Sequence, residues 1–136
     1  MSTVPTSTWL RVAAVIALVE GAALAAYGLY VIVQVARLGI TGPSPVSNVQ
    51  SVTLEIVIFL VFGAGLLLAG WGLWRVKRWG RAPAVIGQLL GLVVGVPLVG
   101  APGGVERMVG ILVVAMAVAA LVCLFLPSTT RALLEE

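Results

Sequence analysis

The sequence predicts an all-α fold, a four-transmembrane-helix bundle that forms one integral membrane domain over residues 1–136, with both termini cytoplasmic. Three observations lead there. Hydrophobic residues make up 61% of the chain and charged residues only 10%, whereas soluble domains are about half apolar and a quarter charged. The apolar residues gather into four runs, each close to the about 20 residues that cross a hydrocarbon core as a helix. The basic residues are unevenly shared between the two ends that such a bundle would present. Arg11, Arg75, Lys77, Arg78, Arg81 and Arg131 fall at one end and only Arg37 and Arg107 at the other. Lys and Arg resist translocation, so the richer end is expected in the cytoplasm.

The first span covers residues 12–36, interrupted only by Glu20 and Gln34; as a helix it would be about 37 Å long and would cross with some tilt. A cleaved signal peptide would need its apolar core before Glu20, where only eight residues are available, and the apolar run continues past the small residues at 23–25. An uncleaved first helix is therefore expected. The second span covers residues 52–74, with Glu55 near its start. The third, residues 82–99, is the shortest and carries Pro97 near its end, where the missing N–H and the ring weaken the last turn. The fourth covers residues 108–126 and stops before Pro127, which cannot continue a helix. The connections at 37–51, 75–81 and 100–107 are too short to fold alone. Aromatic residues agree with the topology, since Trp and Tyr favour the headgroup level. Trp9, Trp71, Trp74 and Trp79 fall at the inner boundary, and Tyr27 and Tyr30 approach the outer one.

In lipid, helices associate through close backbone approach, so small residues four apart mark contact faces. The third span contains Gly87, Gly91 and Gly95, two overlapping GxxxG steps. The first carries Ala13, Ala17, Gly21 and Ala25, the second Gly65 and Ala69, and the fourth Ala115, Ala119 and Cys123. Such faces either close the bundle within one chain or meet another subunit, and the sequence leaves both open for the glycines of the third span.

Glu20 is the residue with the most to explain. A carboxylate in hydrocarbon costs about 2.5–3.5 kcal/mol on insertion scales and faces a bundle interior or a water-filled cavity. Glu20 lies about 12 Å from the cytoplasmic end of its span, and Gln88 enters to about 8 Å on the third. An amide can donate to a carboxylate, so Gln88 is the expected partner. Glu20, Tyr27 and Gln34 are spaced by seven, which keeps side chains on one face of left-handed packed helices. Together with Gln88 they form the candidate intramembrane polar site. At the outer end, Arg37 and Glu55 are expected at similar levels, as a surface ion pair of small energetic weight. Glu20 is either a structural carboxyl, protonated or hydrogen-bonded, that fixes helix one against helix three, or a proton- or cation-binding group lining a path.

The remaining inventory narrows the function classes. The net charge of +3 is spread over loops and forms no basic, aromatic-interleaved patch, so nucleic acid is not an expected partner. Histidine is absent and Cys123 is the single cysteine, which removes His-ligated haem, His-containing zinc sites and Ser-His or Cys-His nucleophiles. No catalytic residue, metal site or cofactor is expected, and the chain is not expected to be an enzyme. Arg75, Lys77, Arg78 and Arg81, interleaved with Trp74 and Trp79, could contact anionic lipid headgroups; their plainer role is the positive-inside loop.

Two resemblances bear on function. "RWGRAPAVIGQLL", residues 78–90, and "LPSTTRALLEE", residues 126–136, resemble stretches of actinobacterial four-helix small integral membrane proteins of unknown function. A bias toward Arg over Lys and toward Ala, Val, Leu and Gly fits the high-GC bacterial source that this resemblance implies. Glu20 in its helix-one setting resembles the small multidrug resistance exporters, dimers that exchange protons for cationic drugs at such a glutamate. This chain differs from them in its long first connection and in a third span without aromatics. The expected function is non-catalytic, as an accessory or assembly subunit of a larger complex in the bacterial cytoplasmic (inner) membrane. The alternative is a small homo-oligomeric proton-coupled transporter or channel using Glu20. The expected partners are membrane lipids and either other membrane subunits or further copies of the chain.

Overall fold

The computed structural model describes residues 7–41 and 48–135, and every regular element among them is helical. The order is α1 (Thr8–Leu38), α2 (Val49–Trp74), a 3₁₀ turn (Arg78–Gly80), α3 (Arg81–Val99), α4 (Gly104–Phe125) and α5 (Pro127–Leu134). The helices α1, α2, α3 with its leading turn, and α4 are long and apolar enough to cross a membrane. The chain is a multi-pass membrane protein. Residues 42–47, the middle of the expected first connection, lie outside the described residues.

The helices start earlier than the apolar runs suggest. α1 begins at Thr8 and α4 at Gly104, because a charge at headgroup level does not end a helix. Arg11 can keep its head in water over an apolar stem, and Glu106 in the first turn of α4 complements the helix dipole. α2 is capped by Asn48, whose side chain accepts from the Ser51 N–H at 2.9 Å, a strongly preferred arrangement. It ends with Lys77 N–H donating to Gly72 C=O at 2.7 Å and Val76 N–H to Leu73 C=O at 2.9 Å. This is a Schellman closure with valine, at φ 57°, in the left-handed position. That conformation costs a β-branched residue about 1–2 kcal/mol, and the packing of Val76 against the core offsets it.

Packing is most extensive within the pairs α1–α2 and α3–α4, and α1–α4 and α2–α3 close the ring. α1 and α3 are therefore diagonal neighbours. In the first hairpin the backbones touch. A Cβ on Gly21 would lie 2.7 Å from Leu67 N and 2.8 Å from Gly63 O, and one on Gly63 would lie 2.7 Å from Ala25 N. Ala13 and Ala17 are buried on the same face of α1. The glycines of α3 also point into the bundle. A Cβ on Gly87 would meet Leu66 of α2, one on Gly91 would rest 3.8 Å from Ala117 of α4, and one on Gly95 would press on Val113 and Val114 of α4.

The stripes expected on α2 and α4 hold at Ala69 and Cys123, which are buried, and are corrected at their other positions. Gly65 has nothing within 4 Å; Gly63, Leu66 and Gly70 are buried beside Ala69 instead. Ala115 and Ala119 are exposed, whereas Gly110, Ala117, Ala120, Cys123 and Leu124 are buried. Both helices carry more than one small-residue stripe, and a spacing of four does not say which of them the neighbouring helices select.

The continuous core lies at the end shared by the two termini. Leu10 and Ala14 of α1, Leu73 of α2, Ala84 of α3 and Leu124 of α4 meet Ala132 and Leu133 of α5 there. α5 is an element the sequence reading leaves out. Pro127 does end α4, but it also occupies the first position of a new helix, where its missing N–H costs nothing. The new helix is tied down by the Thr129 hydroxyl, which is fully buried and donates to Cys123 C=O at 2.7 Å. Ser7 donates to Ser128 at 3.3 Å, which joins the start of α1 to the start of α5.

Candidate functional site

Glu20 lies 12 residues into α1, about 18 Å from its first residue. Gln88 lies seven residues into α3 and is almost wholly buried at 2% exposure. The two meet across the diagonal of the bundle, where Gln88 Nε2 donates to Glu20 Oε2 at 2.5 Å. The glycine face of α3 makes the approach possible. With Gly87 and Gly91 beside it, Gln88 sits where α3 comes close to α2 and α4, and its amide extends past them to α1. No buried side-chain polar atom among the described residues lacks a partner.

The structure does not bring Tyr27 and Gln34 into this site. Tyr27 is 43% exposed; its hydroxyl donates to Glu55 Oε1 of α2 at 3.0 Å, and its ring packs 4.6 Å from that of Phe59. Gln34 Nε2 donates to the Tyr30 hydroxyl at 2.6 Å, one turn back on the same helix. The expected polar line is thus two separate groups. Glu20 and Gln88 cross the interior, while Tyr27, Glu55, Tyr30 and Gln34 lie in the half of the first hairpin nearer its connection. The expected Arg37–Glu55 pair is replaced as well, since Glu55 accepts from Tyr27 and makes no ion pair with Arg37 among the described residues. Both candidates are on α1, and a tyrosine whose ring is held by Phe59 needs less ordering than a long arginine at the helix end.

The basic end forms a belt of cations on aromatic rings. Arg11 lies 5.6 Å over Trp74, Arg75 5.4 Å over Trp71 and Arg81 5.2 Å over Phe125. Trp9, Trp71, Trp74 and Trp79 are each about half exposed, the exposure of rings with one edge at an interface. Arg81 Nη2 also donates to the Thr130 hydroxyl at 3.3 Å, which fastens α3 to α5. Sequence reasoning misses Thr129, Thr130 and the rest of α5. The available signal is "PSTTRALL", a proline and hydroxyl residues ahead of a short apolar face, a helix-start pattern.

Compared with known protein families, curated proteins and solved structures, the chain matches none.

Proposed function

We propose that this multi-pass protein acts without catalysis, as an accessory or assembly subunit of a larger complex in the bacterial cytoplasmic membrane. One observation carries the reading: the deepest carboxylate in the chain is held by a buried amide of the same chain, at 2.5 Å. A group bound in this way fixes α1 against α3, and the energy of its desolvation is met by structure. The inward glycine face of α3 supports the same reading, since the strongest close-packing motif is spent on the protein's own fold. Outer small residues such as Gly65, Ala115 and Ala119 stay available to other membrane helices.

A second reading rests on a different observation. Glu20 is only partly buried, in contrast to Gln88, and a carboxylate with one open side could exchange protons in a small homo-oligomeric transporter. Extraction with native lipid followed by intact mass measurement separates the two. Unrelated subunits in stoichiometric amount support the accessory role, and a pure homo-oligomer overturns it. Glu20→Gln gives the complementary test, because the amide keeps an acceptor for Gln88 but cannot release a proton. Unchanged assembly and unchanged proton flux fit an accessory subunit; an abolished flux with assembly intact fits transport.

A further inference from the structure

α5 folds back beside the start of α3 and leaves a groove of about 620 Å³ between them, within the range of about 300–1,000 Å³ common for small-molecule sites. Its lining mixes two chemistries: Arg78, Arg81 and Thr130 bring cations and a hydroxyl, and Trp79, Ile86 and Leu134 bring apolar surface. Arg81 is already oriented by Thr130 and by the Phe125 ring, so little freedom is lost when its guanidinium takes a ligand. Trp79, Ile86 and Leu134 are 50%, 58% and 62% exposed. The apolar surface continues along α3 through Leu89 and Val93, 50% and 69% exposed and at helical spacing from Ile86.

We propose that this groove binds one anionic phospholipid, its phosphate held between Arg78, Arg81 and the Thr130 hydroxyl and an acyl chain laid along Ile86, Leu89 and Val93. Charge complementarity carries the choice of occupant. Arg11, Arg75, Lys77, Arg78, Arg81 and Arg131 all belong to this end, against Glu135 among the described acidic residues. The depth matches too: the arginines stand at the end of the span, beside a half-exposed tryptophan, and the apolar track begins one turn further in. A soluble phosphate would find the cations but leave the track unused. A zwitterionic lipid would use the track but bring its own cation to the arginines.

Delipidated protein in detergent would be titrated with dioleoyl-phosphatidylglycerol and dioleoyl-phosphatidylcholine and read by native mass spectrometry. The phosphatidylglycerol adduct is expected to form at least about tenfold more tightly, and Arg78→Gln and Arg81→Gln are each expected to weaken it about fivefold, the effect of one basic residue at an anionic surface. Ile86→Trp, which fills the track, should weaken both lipids, and Arg107→Gln at the opposite end should change neither. Should Arg81→Gln lose helicity by circular dichroism, Arg78→Gln and Ile86→Trp carry the test alone, since both positions are exposed. Equal affinity for the two lipids would overturn the proposal. So would phosphatidylglycerol binding unchanged by Arg78→Gln and Ile86→Trp, or its full displacement by millimolar inorganic phosphate.

Discussion

Glu20 and Gln88 join helices that otherwise touch little, so changes at either one read out on the fit of the two hairpins. Gln88→Leu would leave the carboxylate without its donor, and a loss of about 1 kcal/mol in bilayer or micelle unfolding is expected, between the values of about 0.6 and 2 kcal/mol for intramembrane hydrogen bonds. Glu20→Gln should stay within about 0.5 kcal/mol of the parent by the same measurement, because an amide carbonyl still accepts. The meeting of these two residues is legible in the sequence, since their depths agree and a carboxylate in lipid needs a donor at its own level. The partner of Glu55 is not legible. Arg37 and Tyr27 are both in reach by depth, and only the rotation of α1 about its axis turns the tyrosine toward α2. Seven-residue spacing misleads at Gln34 for a related reason. Tyr30, one turn below it, satisfies the amide locally.

Among the elements, the α1–α2 crossing is the least tolerant of added volume. Gly63→Val would drive a side chain against the backbone of α1 at Ala25, and a loss of about 1–3 kcal/mol or more is expected from such overpacking. Gly65→Val, two residues away with nothing within 4 Å, should stay within about 0.5 kcal/mol, as surface substitutions do. Thermal unfolding in one detergent compares the pair, and equal losses would contradict this assignment of faces. At the other end, Thr129→Val removes the buried hydroxyl that accompanies the turn from α4 into α5, and about 1 kcal/mol should be lost with it. The four spans are legible because an apolar run of that length has few other uses. Their first turns are not, since interfacial Arg and Glu residues interrupt hydropathy without interrupting the helix. Nor is α5, whose eight residues are too few to form a helix without the surface they cover.

At the scale of the whole molecule, the cation and tryptophan belt predicts which end faces the cytoplasm. In a Cys123→Ala background, Ser128→Cys should resist a membrane-impermeant maleimide in intact cells, and Gly104→Cys in the opposite connection should label. The reverse pattern would invert the topology. Charge placement is what this expected orientation rests on; the ring order of the helices is not legible in the sequence, because apolar faces in lipid carry little information on which neighbour each one meets. The diagonal bond between α1 and α3 has a consequence in time. A chain grows from its N-terminus, so α1 and α2 enter the bilayer and cross at Gly21 and Gly63 before α3 has been made. Glu20 must wait for an amide 68 residues downstream. A product cut short after the first hairpin would present lipid with an unmet acid, and a finished one would not. The same hydrogen bond that seats two helices thus distinguishes nascent chains from completed ones.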